Sequence, residues 1–82
     1  MPSYFFHLRS DVDEALDTEG VNLPDVEAVK RAGIEAARDV MAGDLREGLL
    51  DLRYRIDVEN SSGVLVFTLN FEHAVHVISA TR

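Results

Sequence analysis

The chain contains no cysteine and no tryptophan, and only two prolines. Without cysteine there is no disulfide, so a domain of this size must be held by its apolar core, by a metal or by a partner. Nothing in the composition calls for an oxidising compartment. No apolar run approaches the roughly 18 residues needed to span a bilayer, and the first residues lack the charged and apolar regions of a secretory signal. These features lead us to expect a cytoplasmic protein with no membrane partner. Basic residues are also scarce: 8 Lys and Arg stand against 15 Asp and Glu, for a net charge of -7. Phosphate backbones are gripped by clustered Lys and Arg. Here the nearest approach to a cluster is Arg53 with Arg55, so no nucleic-acid partner is expected for the monomer. The acidity itself serves solubility.

With 82 residues the chain is expected to form one small αβ domain over 1–82. Tyr4 to Arg9 is rich in β-formers and reads as a strand, with Tyr4, Phe6 and Leu8 on one face and Phe5, His7 and Arg9 on the other. The acidic stretch 10–14 reads as a loop, and Ala15-Leu16-Asp17 as a short returning strand. Asp17-Thr18-Glu19-Gly20 reads as a turn with Gly20 at positive φ. Val21 and Leu23 are expected to pack toward the core.

Pro24-Asp25 signals a helix start. Val26, Val29, Gly33, Ala36, Ala37, Val40 and Met41 then recur at three- and four-residue spacing. The small residues Gly33 and Ala37 at the centre of that stripe predict close approach of the helix to a sheet. Arg31, Glu35, Arg38, Asp39 and Arg46 form the solvated face, where Glu27 and Arg31 are a favourable pair. The helix is expected over roughly 25–47, with a kink possible at Gly43 and a stop at Gly48.

Leu52 to Glu59 alternates cleanly and reads as a strand, with Arg53, Arg55, Asp57 and Glu59 on its polar face. Asn60-Ser61-Ser62-Gly63 is a turn, and Val64 to Leu69 the return strand of a hairpin. Residues 71–78 fit either a helical turn or a strand. The expected fold is α+β: a small antiparallel sheet with one main helix on one face, in the order β-β-α-β-β.

Pro2-Ser3-Tyr4-Phe5-Phe6-His7, the Asp17-x-Glu19-Gly20 turn, Leu23-Pro24-Asp25, Ala37-Arg38-Asp39 and Phe71-x-x-Ala74-Val75 together resemble a family of short bacterial proteins known only as a domain of unknown function. The resemblance implies a fold and no activity. More distantly, the aromatic first strand, acidic turn and Pro-Asp helix start are similar to antitoxins of the HicB type, which bind and inhibit a partner RNase. This chain departs from them in lacking a Pro-Gly-Cys segment before the helix, and autoregulatory DNA binding is not expected of it.

Catalytic and metal constellations are weak. His73 and His76 at i, i+3 share a face only in a helix, and with His7 they would form a metal site; a locally hydrogen-bonded histidine is the plainer reading. The carboxylates Asp11, Asp13, Asp17 and Glu19 fail the spacing of a calcium loop, where Ala15 and Leu16 stand in place of ligand and glycine. No nucleophile elbow or Gly-rich phosphate loop is present. We therefore expect no enzyme, no cofactor and no functional metal. The candidate interaction surface is Phe5, His7, Arg53 and Arg55, on the sheet face opposite the helix. Phe5 there either packs across the strands against Arg53 or Arg55 or meets a protein partner or a second copy.

Overall fold

The computed structural model describes residues 1–80. It is α+β, with one helix and an antiparallel sheet of five strands. The strands are β1 (Ser3–Arg9), β2 (Glu14–Ala15), β3 (Val21–Asn22), β4 (Arg55–Asn60) and β5 (Leu65–Asn70), and α1 runs Val26–Arg46 between β3 and β4. The order is β-β-β-α-β-β, which corrects the expected β-β-α-β-β by one strand. The extra strand is Val21–Asn22, which pairs with Ser3 and Tyr4. Val21 is consequently exposed, contrary to expectation, while Leu23 packs against the core.

The sheet order is β2-β1-β4-β5, with β3 joining β2 along the same outer edge of β1. β1 lies antiparallel to β4 over six residue pairs, from Tyr4 opposite Asn60 to Arg9 opposite Arg55. β4 begins at Arg55 rather than at Leu52. The cause is Asp51, whose carboxylate accepts the Arg53 backbone N–H at 3.0 Å and folds residues 51–54 into a turn. The β4–β5 hairpin turns through Asn60–Gly63, where Gly63 sits at φ 77 and the Asn60 side chain accepts the N–H groups of Ser62 and Val64. A bulge lies beside Val58, which faces Phe67 while Glu59 faces Leu65.

Asp25 caps α1, its carboxylate accepting the Ala28 N–H at 2.8 Å. The helix passes through Gly43 without interruption. Its end is a Schellman motif: Gly48 adopts φ 84, its N–H donates to Leu45 C=O, and the Leu49 N–H donates to Asp44 C=O. Ala28, Val29, Gly33, Ala37 and Met41 are the buried residues of the helix, so Ala28 takes the place foreseen for Val26, which is exposed. Glu27 lies 3.9 Å from Lys30 rather than pairing with Arg31, an exposed contact of little energetic weight.

The close approach centres on Gly33, where an added Cβ would sit 3.4 Å from the Phe67 ring and 3.9 Å from the Phe6 ring. Ile56, Val58, Leu69, Phe71 and Ala74 complete the core, with Val58 and Phe71 fully buried. Phe71–His73 form a short 3-10 turn, and residues 74–80 are irregular. Arg38, exposed as expected, also donates its Nε to Ala74 C=O at 2.8 Å and fastens this segment to the helix.

Candidate interaction surface

The register sets three rows of side chains on the face opposite α1: Phe5–Glu59–Leu65, His7–Asp57–Thr68 and Arg9–Arg55–Asn70. No helix covers this face among the described residues. Its centre is nevertheless dry. His7 and Asp57 are 8% and 6% exposed, because the longer side chains around them close over them.

Asp57 is the hub. It accepts bonds from Arg9 Nη1 at 3.0 Å, Arg55 Nε at 3.2 Å and Thr68 Oγ1 at 3.0 Å. Burial alone would raise its pKa; the bonds from Arg9, Thr68 and Arg55 outweigh that and hold it below the usual carboxylate range. Arg9 and Arg55 face each other directly across the strands, so Asp57 also separates two like charges that would otherwise repel. Arg9 further reaches Glu14 at 3.1 Å and Glu59 at 3.5 Å. Its own pKa is raised, chiefly by its bonds to Asp57 and Glu14.

A second cluster closes the outer edge of β1. β2 covers Leu8 and Arg9, and β3 covers Ser3 and Tyr4, leaving a gap in the pairing between them. Asp17 fills that gap. One carboxylate oxygen accepts the Phe6 N–H at 3.0 Å, and the other accepts the N–H groups of Glu19 and Gly20 at 3.1 Å. The Asp17 N–H donates to His7 Nδ1 at 3.1 Å. Nδ1 therefore acts as the acceptor, which puts the ring proton on Nε2, 3.4 Å from Glu59. Burial opposes ionisation of Asp17, but the bonds from Phe6, Gly20 and Glu19, with the nearby imidazole, lower its pKa. Gly20, at φ 71, receives the Phe5 ring, and an added Cβ would lie 2.8 Å from Phe5 Cε2.

Phe5, His7 and Arg55 thus share one face, and Arg53 does not join them. Arg53 lies in the turn before β4, 80% exposed at its side chain and bonded to Asp51 at 2.8 Å. That pairing lowers the Asp51 carboxyl to about 2. Phe5 faces Glu59 rather than an arginine, so the expected packing of its ring on Arg53 or Arg55 is replaced by contact with Gly20. His73 and His76 are exposed at the far end of the chain, away from buried His7. Among the described residues no three His, Asp or Glu side chains are grouped to hold a metal ion. A shallow depression of about 450 Å³, widely open to solvent, lies over Ser10 to Glu14.

Sequence reading missed Arg9, Asp17, Asp57, Glu59 and Thr68 as one connected polar face. It also missed the rim of β5, where Val64, Leu65 and Val66 are 56%, 55% and 43% exposed. A signal was present: residues 60–71 form the longest stretch without a charged side chain in the chain.

These features define a small α+β protein with an open sheet, one face sealed by a helix and the other by a hydrogen-bonded polar cluster. The family described as "Domain of unknown function (DUF6894)" matches residues 3–72, and the chain belongs to that family. It matches no curated protein and no solved structure. The Tyr4-Phe5-Phe6-His7 strand and the Asp17-x-Glu19-Gly20 turn interlock through Asp17, His7 and Gly20. The Ala37-Arg38-Asp39 and Phe71-x-x-Ala74 elements meet through the Arg38–Ala74 bond.

Proposed function

We propose that this chain is a non-enzymatic protein-binding module that meets its partner at the open side of the sheet, along the β5 rim and the adjoining Phe5–Glu59–Leu65 row. The observation that carries this reading is the exposed run Val64-Leu65-Val66 at the start of an edge strand, beside a half-buried Phe5. Sheet edges recruit strands through their free backbone groups, and apolar side chains at the rim add burial. The polar face offers little for chemistry: Asp57, Asp17 and Arg9 are each bonded to internal partners, which leaves none of the three poised to attack or to exchange protons. It argues equally against nucleic acid, because its arginines Arg9 and Arg55 are each committed to Asp57.

The same proposal puts the protein in the bacterial cytoplasm, in keeping with its resemblance and its freedom from cysteine. A toxin-neutralising role of the HicB type is the specific alternative. It is favoured by the acidic stretch 11–19, which complements a basic RNase. The test is affinity capture from bacterial lysate with the wild-type chain, Leu65→Lys and Glu35→Lys as baits. A protein held by wild type and Glu35→Lys but lost with Leu65→Lys supports the reading, and an RNase among the lost proteins supports the alternative. Identical capture by all three baits overturns it.

A further inference from the structure

Resting on that reading, we propose that the partner at β5 is a second copy of this chain, paired edge to edge and antiparallel about a two-fold axis to give one sheet continuous across both copies. Three observations lead there. First, β5 is terminal in the sheet order. The Phe71 N–H donates to Tyr54 C=O at 3.0 Å; antiparallel pairing then alternates, directing Leu69 toward β4 and the N–H and C=O of Thr68 outward.

Second, the edge carries no charge and no proline, its protection being the bulge opposite Val58 and Glu59. From Asn60 to Phe71 there is no lysine, proline or other charged residue. In a chain of net charge -7, most self-contacts set carboxylates against carboxylates. A two-fold contact places a patch on itself, and the uncharged β5 edge accepts that without repulsion, Thr68 of each copy facing Thr68 of the other across the axis.

Third, the molecule has area to spare. It exposes 5823 Å², whereas a compact monomer of 9.1 kDa would expose about 4,900 Å². Part of the excess lies at the chain ends, where Met1, Val77 and Ile78 are 80%, 56% and 85% exposed, and part at the rim residues Val64 to Val66. The radius of gyration, 13.7 Å, likewise exceeds the ~11.7 Å of a compact chain of this length.

The experiment is sedimentation equilibrium over a wide concentration range, with amide exchange at Thr68 followed on the same wild-type samples. Wild type should reach twice its 9.1 kDa mass as concentration rises, and the Thr68 amide should become protected in step. Leu65→Lys should stay at the monomer mass, while Leu45→Lys, a control at an equally exposed leucine of α1, should still dimerise. A wild-type chain that stays monomeric overturns the proposal, as does a dimer whose Thr68 amide exchanges freely. The exchange measurement needs no variant, so a Leu65→Lys chain that fails to fold does not blunt it. If wild type is monomeric yet the capture experiment yields a Leu65-dependent protein, self-pairing fails and the binding-module reading stands; if neither occurs, both fail.

Discussion

Replacing Asp17 with alanine isolates the most economical device in the fold. The carboxylate holds three backbone N–H groups, at 3.0, 3.1 and 3.1 Å, and closes a gap that neither β2 nor β3 reaches. Hydrogen bonds to a charged acceptor contribute about 1.5–3 kcal/mol each. Glu19 is exposed and its N–H turns to water at little cost, so two bonds carry the effect. Partial solvent access at Phe6 and Gly20 trims each toward the lower end, and the expected loss is about 2–4 kcal/mol. A chain of this length has a total stability of roughly 4–12 kcal/mol, so the variant stands near the edge of folding. Urea unfolding should show a lower midpoint at unchanged slope. Amide exchange should accelerate at Phe6 and Gly20 before it changes in β4. Asp17→Asn, which keeps one carbonyl acceptor, should fall between wild type and alanine. A loss below about 0.5 kcal/mol for Asp17→Ala would refute the reasoning, since that is the range of an ordinary surface change.

Gly33 offers a test of the helix–sheet contact. The 3.4 Å clearance to Phe67 admits a methyl group, so Gly33→Ala should gain up to about 1 kcal/mol from helix propensity, whereas Gly33→Leu should lose about 1–3 kcal/mol by overpacking; a raised melting temperature for Leu would mean the helix face is misplaced. Phe6→Ala should cost about 3 kcal/mol and Phe5→Ala less, about 1–2 kcal/mol, since Phe6 faces Gly33 and the core while Phe5 rests on Gly20; denaturant titrations showing equal losses would make both rings core. The carboxyls of Asp17 and Asp57 are both depressed in the folded state. Their stabilisation is therefore full above the unfolded value of about 3.9 and is lost as pH falls through the lower folded values. Asp57→Asn should flatten that acid-side decline, and should itself cost about 2 kcal/mol at neutral pH by leaving Arg9 against Arg55, less than a fully buried pair because Arg9 and Arg55 are 24% and 35% exposed. An unchanged melting-temperature profile between pH 2 and 7 in that variant would contradict the hub role.

The elements with a strong local signal were legible. Tyr4, Phe6 and Leu8 part from Phe5, His7 and Arg9 as their alternation requires. Pro24-Asp25 and Gly48 bound the helix, and Asn60–Gly63 makes the hairpin turn. What escaped depends on partners far along the chain. β3 is two residues long, too short for any periodicity, and exists only because Ser3 and Tyr4 present an edge. Leu52 to Tyr54 continues the alternation of β4, yet Asp51 draws the backbone into a turn before pairing begins. Asp17 reads as an ordinary turn residue until the register shows which N–H it faces. The polar face is a product of register too, since His7, Asp57 and Thr68 become neighbours only once the three strands are aligned. The β5 rim was visible as an uncharged run, but only the sheet order shows that it lies at an edge.

The central claim, that the β5 rim is where this protein meets another protein chain, is tested most directly by placing a photocrosslinking amino acid at position 65 and, separately, at Glu35 on the outer face of α1, and irradiating living cells. The account predicts a discrete protein adduct from position 65, of twice the chain's own mass if the partner is a second copy, and none from position 35. No adduct from position 65, or the same adducts from both positions, would contradict it.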